Sequence, residues 1–357
     1  MDEVLISKGV KESKQYVDRD VLLNNGIIEP FINFEGLLAF YYYNVYHQRA
    51  IKLKAALLSQ ILETSLDKHL PPTIFAKDLL YAFALDAEIY GNAFLEKAGG
   101  TNDFYLYHIL GYQGRLNKNR ELYQVSSEFK DIRLEGYHFK YHSPSGKYYG
   151  EPDYLTTLEQ IDTNKKADKY NSTFFDNGAR PGFAINFENS APSQSQIDTF
   201  KTFFGTNFKG YENAHKSIMF YTGKTKEGES PAKIHLDKLD SVEDMSFEKL
   251  KNVNRNEIIA SHGVPPRLVG IITAGQLGGG TELIDQLHAF NEIVIKPKAT
   301  HIEGFFENIG IKLKIKELDV TNFKDDSDLV TNLVNSKIIT QQEAKEILGL
   351  VSNKKGS

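Results

Sequence analysis

The chain has 357 residues, a formal net charge of −5, 41% hydrophobic and 25% charged residues, and no cysteine. That length suits two or three structural units with a buried core, and the composition excludes a disordered tail. Lack of cysteine excludes disulfides, thiolate nucleophiles and cysteine-held metals and fits assembly in a reducing cytoplasm, while the acidic balance argues against a tight grip on nucleic acid.

No basic stretch followed by an apolar one opens the sequence, and no run of 18 apolar residues occurs. Neither a signal peptide nor a membrane span is expected. Tryptophan is absent, and 19 Tyr and 23 Phe carry the aromatic content, in runs such as Phe40–Tyr43 and Tyr148–Tyr149. Such runs suit half-exposed sheets and subunit contacts, or strand propensity alone.

Residues 1 to about 33 are polar and irregular. From Phe34 to Leu66 apolar residues recur at helical spacing, ending at Pro71–Pro72. A second helix is predicted from Thr73 to about Tyr90, with Phe75, Leu79, Phe83 and Ala87 on one face. Gly91 opens a strand-rich region in which 92–96, 104–108 and 136–141 form a small antiparallel sheet, separated by glycine and Ser-Pro-Ser-Gly turns.

Pro152 fits the first turn of a helix running to Phe175, roughly 35 Å long, with Asn177–Gly178 as its stop. Asp162 and Lys166 pair on its exposed face. Residues 180–240 read as a small α/β insert: strand 182–187, helix 194–208, then strands 217–221 and 232–236. Another long helix covers 241–262, with Phe247, Leu250, Val253 and Ile258 in one sector, and Pro265–Pro266 stops it. Either proline is a candidate for a cis bond. After a glycine-rich loop, Thr281 caps a third long helix to about Asn308, kinked near Val294 by Pro297. The strand 312–316 and two short helices follow, the last opened by a Thr340–Glu343 capping box.

The glycine loop lacks the Lys-Ser/Thr ending of a Walker loop and the preceding strand of a dinucleotide fingerprint. His138 and His142 lie in a strand-and-turn region, where a four-residue spacing does not bring them together as a metal pair. The run Asp325-Asp326-Ser327-Asp328 reads better as Ser327 or Asp328 capping the following helix than as a cation site. No nucleophile, base and orienter set stands out, so no catalytic residue, cofactor or metal is expected and the chain reads as a non-enzyme.

Several segments nevertheless carry a resemblance: 90–94 (YGNAF), 148–154 (YYGEPDY), 174–182 (FFDNGARPG), 259–270 (IASHGVPPRLVG), and Phe290 with Ile295-Lys296-Pro297. In this order and spacing the chain resembles phage portal proteins of the PBSX type. The resemblance implies an α+β portal fold. Its parts would be a wing (1–152 and 281–324), stem helices (153–179 and 241–266), a small α/β clip (180–240), a tunnel loop (267–280) and a short helical crown (325–357).

It further implies a ring of about twelve copies at one capsid vertex of the virion, assembled in the bacterial cytoplasm and conducting double-stranded DNA in packaging and ejection. Terminase large subunit, head–tail adaptor and major capsid or scaffold protein are the implied partners, with no membrane. The tunnel-loop residues would be Thr273, Ala274, Gly275, Gln276, Leu277, Gly278, Gly279 and Gly280. Lys249, Lys251, Asn252 and Arg255 are the stem-channel candidates, and Lys209, Tyr211, Asn213, Lys216, Lys224 and Lys226 the clip-docking ones. The rival readings are another ring-forming virion component (adaptor or collar), or a nucleotide-binding enzyme using the 275–280 glycines.

Overall fold

The computed structural model describes residues 20–23, 26–101, 103–126, 131–176, 183–188, 193–208, 233–238, 247–271, 280–318, 330–336 and 338–347. The chain divides into two compact units, residues 1–158 together with 256–357, and residues 159–255. The second is thus inserted within the sequence of the first.

The apolar run from Phe34 to Leu66 is not one helix. It splits into α1 (Phe34–Tyr43) and α2 (Val45–Leu58). Asn44 is extended and its side chain accepts hydrogen bonds from the backbone of Tyr46 and His47, a capping arrangement that restarts the helix. After Ser59 the chain becomes a strand. Residues Ile61–Thr64 pair antiparallel with Leu313–Ile315, so a partner far along the chain overrides the local helical spacing. The helix α3 (Ala76–Tyr90) starts two residues after Ile74, and Gly91, with φ +69°, closes it.

Three strands follow the expected order: Asn92–Gly99, Phe104–Ile109 and Gly136–Lys140 form one antiparallel sheet with the first in the centre. A second, five-stranded antiparallel sheet was hidden in segments that read as irregular or as turns. It takes Val21–Leu22, Ile27–Glu29, Gly114–Asn117, Leu122–Gln124 and Ile132–Leu134, paired in that order. Arg115 ties it down: Nε meets Glu29 at 2.7 Å and the guanidinium lies over Phe34 of α1.

The core of the first unit lies between α2, α3, the three-stranded sheet and helix α8 (Lys296–Asn308). Phe83 of α3 is fully buried, with its ring 5.2 Å from Phe139 and 5.3 Å from Phe306. Full burial of one such ring is worth about 1.5–3 kcal/mol, and this trio draws helix, sheet and distant helix together.

Helix α4 spans Leu158–Asp176 behind a 3-10 turn, Leu155–Thr157. It begins later than Pro152 suggested, because Gly150 and Asp153 are bound elsewhere, as described below. In the inserted unit Phe183–Glu188 pairs antiparallel with Lys233–Lys238, and α5 covers Gln194–Phe208. The strand expected at 217–221 and the Asn177–Gly178 stop lie outside the described residues, as does the start expected for the next helix.

That helix, α6, is described over Glu248–Ser261. Pro265 and Pro266 are both trans, and Pro266 opens a 3-10 turn ended by Gly270 at φ +85°. The helix α7 (Gly280–Phe290) already includes Thr281, which is therefore inside the first turn and not a cap. Between α7 and α8 residues Asn291–Ile295 form a π-helical segment, so the irregularity expected near Val294 is a widened turn before Pro297. The Thr340–Glu343 capping box is present, with reciprocal bonds, ahead of α9 (Gln341–Ile347). Among the described residues no helix is long and apolar enough to cross a membrane.

Candidate functional site

Two of the segments that carry the resemblance, 90–94 and 148–154, meet at one junction inside the first unit. Asn92, fully buried, is its hub. Its amide nitrogen donates to the carbonyls of Tyr90 (2.7 Å) and Gly150 (3.0 Å), and its oxygen accepts from Gly150 N–H (2.9 Å) and faces His138 Nε2 (2.9 Å). Glycine at 91 and 150 permits the approach. A Cβ on Gly91 would lie 2.4 Å from the Glu151 carbonyl carbon, and one on Gly150 2.4 Å from the Gly91 oxygen. The tyrosines are anchors: the Tyr149 hydroxyl donates to Ile28 O (2.5 Å) and accepts from Leu116 N–H (2.8 Å), and the Tyr154 hydroxyl donates to Ile89 O (2.6 Å).

Next to this junction lies a buried ionic cluster. The Lys54 and Glu88 side chains are 0% and 1% exposed and form a direct ion pair. Lys54 Nζ also meets Asp153 at 3.0 Å. Lys298 of α8 reaches Glu88 and Asp153, each at 2.8 Å, and lies 4.1 Å from the Tyr141 ring centre. The Tyr141 hydroxyl donates to Glu88 Oε1 at 2.8 Å.

Burial pushes the Glu88 carboxyl up, but Lys298 and Lys54 outweigh it and hold Glu88 below the usual glutamate value. Asp153 is held low in the same way, against its own burial. Burial draws the Lys298 ammonium down, while Glu88 and Asp153 carry it above the ordinary lysine value. Two ammoniums facing two carboxylates make the set charge-balanced, and that balance permits its burial.

Beside the cluster His47 Nδ1 and His262 Nε2 are 2.9 Å apart, and the Tyr154 ring packs edge-on against His47. Sequence reasoning passed over Lys54, Glu88, His47 and Asp153. The available signal was position: Lys54 shares a helical face with Ala50, Ile51 and Leu58, all fully buried, so a charge sits where the spacing calls for an apolar residue.

Helices α4 and α6 are paired at both ends of their described course. In the first unit Thr157 Oγ1 lies 3.2 Å from Ser261 Oγ. In the inserted unit Asn254 donates to Asn164 at 3.0 Å, Lys251 is ion-paired with Asp168, and the Tyr170 and Phe247 rings are 5.5 Å apart. This separates the stem candidates. Lys251 is turned toward α4, with Arg255 one turn along the same face, while Lys249 is exposed on the face opposite Asn254 and Ile258. Asn252 is half-buried. The apolar sector expected on this helix also divides: Ile258 is buried, whereas Leu250 is 42% and Val253 49% exposed.

Gly280 begins α7, while Thr273, Ala274, Gly275, Gln276, Leu277, Gly278 and Gly279 lie outside the described residues. So do the docking candidates Lys209, Tyr211, Asn213, Lys216, Lys224 and Lys226, and the acidic run at 325–328. His138 is stacked on Phe94 at 4.7 Å, a packing histidine. Among the described residues no group of three His, Asp or Glu is placed to hold a metal ion.

An α+β chain with a second unit inserted in the sequence of the first has counterparts among particle necks and portals. The chain is similar in structure to a chain from the virion of a native gene transfer agent particle, with a TM-score of 0.61 at 17% identity, covering 89% of this chain and 94% of that one. It matches an HK97 family phage portal protein from Corynebacterium diphtheriae with a TM-score of 0.50 at 13% identity, over 76% of this chain and 91% of that one.

In sequence, the "Probable portal protein" of Escherichia phage P2 is 22% identical over 88% of this chain and 90% of its own length. That of Streptomyces phage phiC31 is 25% identical over 65% of this chain and 52% of its own length. The family model for phage portal protein matches residues 48–349. The chain belongs to the phage portal protein family.

Proposed function

We propose that this chain is the ring-forming subunit through which double-stranded DNA enters and leaves a phage capsid, acting as a structural conduit and not as an enzyme. The observation that carries the reading is the insertion of residues 159–255, which bring α4 and the start of α6 together, in a chain of this family. The neck of the native gene transfer agent particle, to which the chain is similar, was computed with C12 symmetry, which supports a ring of about twelve copies. In this reading 153–179 and 241–266 are the stem, 180–240 the clip, 267–280 the tunnel loop, 1–152 and 281–324 the wing, and 325–357 the crown. The ring sits at a capsid vertex of the virion and is assembled in the host cytoplasm.

Of the stem-channel candidates Lys249, Lys251, Asn252 and Arg255, Lys249 is exposed and is offered to passing phosphates, while Lys251 is ion-paired with Asp168. A loop of glycines from Gly275 to Gly280 carries no cation and presses on DNA without ionic holding. The clip side chains Lys209, Tyr211, Asn213, Lys216, Lys224 and Lys226 dock the terminase large subunit and the head–tail adaptor, and the wing meets capsid or scaffold protein.

Negative-stain microscopy with mass photometry over a concentration series tests the ring. Closed rings with a central hole are expected, forming above a threshold concentration. Monomers at every concentration that also fail to enter co-expressed procapsids would overturn the reading.

A further inference from the structure

The helix α2 holds both stretches of the first unit that border the insertion. Lys54 binds Asp153 ahead of α4, and His47 binds His262 just after α6. These two anchors are about two turns apart on one helical face. Lys54 is held by two ion pairs, His47 by a single histidine.

The histidine pair is closed on itself. His47 Nε2 and His262 Nδ1 are buried, and neither has a hydrogen-bond partner. In the neutral pair one inner nitrogen donates to the other, which leaves one outer nitrogen as a bare acceptor and the other as an N–H. A first added proton converts the bare acceptor into a second buried N–H with no acceptor. A second proton places two N–H groups face to face and breaks the 2.9 Å bond.

The surroundings oppose either proton. Lys54 faces the pair from α2 and Lys298 from α8. From α3 and the segment before α4 come Glu88 and Asp153, but both are already bound by those two ammoniums. Tyr154 presents its ring and gives its hydroxyl to Ile89 O.

We propose that the His47–His262 pair is a proton-operated latch: neutral, it ties the chain after α6 to α2, and on proton uptake it releases residues 258–264. Burial first, and Lys54 second, lower the His47 value to about 3, and burial likewise carries His262 well below the ordinary histidine value. Both groups are therefore depressed in the fold. Their stabilisation is complete above the unfolded value of about 6.5 and is lost as pH falls below it.

Hydrogen exchange of the full chain, corrected for intrinsic rates, reads the latch. Between pH 7.5 and 5.5 protection of amides 258–264 relative to those of Leu79–Ala84 in α3 should drop at least about tenfold, the factor for one histidine freed to its ordinary value. His47→Gln or His262→Gln should flatten that step. His138→Gln, which removes another histidine held at about 3, should keep it. A ratio constant with pH, a step unchanged in both pair variants, or a step lost in His138→Gln overturns the proposal. If neither pair variant folds, the wild-type and His138→Gln profiles decide it.

Discussion

Lys54 has no water to lean on, so its charge depends wholly on Glu88 and Asp153. Glu88 in turn is the only one of the four charged groups that touches both ammoniums from a site as closed as that of Lys54. Glu88→Gln should therefore destabilise the fold by about 3–5 kcal/mol in denaturant titration, because it strands an ammonium in the core. The pH dependence follows from the same groups. Glu88 and Asp153 are depressed, so their contribution is present above the ordinary carboxylate values and lost as pH falls through the lowered ones. Lys298 is raised, so its share is present below the ordinary lysine value and lost as pH rises through the raised one. Stability should plateau between these limits, with the histidine-linked decline setting in below about pH 6.5; in Glu88→Gln the carboxylate-linked loss at low pH should shrink. None of this pairing was legible in advance. A one-dimensional pattern shows that Lys54 falls on an apolar face, but Asp153 is brought to it only by the tertiary fold.

At the scale of elements, the glycines separate by what surrounds them. Gly91 and Gly310 both adopt positive φ, yet a side chain at Gly91 would strike the Glu151 backbone and one at Gly310 would meet open space. Gly310→Ala should cost about 1–2 kcal/mol, the left-handed strain alone. Gly91→Ala should cost clearly more and shift the thermal midpoint further. Equal losses would mean that Asn92 and Gly150 are not packed as described. Phe83→Ala, at the meeting of α3, the three-stranded sheet and α8, should remove about 3–5 kcal/mol.

The long periodic helices and the three aromatic strands were legible, because periodicity and turn residues are local properties. The break at Asn44 was a missed cap signal, since Asn before Val45 is a preferred capping residue. The strand Ile61–Thr64 and the five-stranded sheet were not legible. Their segments are short, and each is made a strand by a partner elsewhere, as Leu313–Ile315 does for Ile61–Thr64. The π-helical turn at Asn291–Ile295 appeared in the sequence only as Pro297 inside a helical pattern.

For the whole molecule, family membership was readable because several separated motifs had to be present in order, and the junction at Asn92 explains two of them: Tyr90–Phe94 and Tyr148–Tyr154 bond to each other directly. Exposed Leu250 and Val253 on α6 belong to this scale, since a ring built by a repeated head-to-tail contact needs apolar surface that a monomer leaves uncovered. Leu250→Glu combined with Val253→Glu should abolish rings in mass photometry while the monomer's thermal midpoint stays within a few degrees. Rings that persist would place the subunit contact elsewhere.

The contact between Thr157 and Ser261 joins residues 104 apart in sequence. Closing a loop of that length from an unfolded chain carries an entropic penalty of about 4 kcal/mol from its length alone, which early pairing of α4 with α6 would largely remove by delivering both ends together. Early organisation of the inserted residues should therefore speed the closure of the surrounding unit. A substitution that weakens the Asn164–Asn254 pairing should slow the folding of the first unit without loosening any contact inside it.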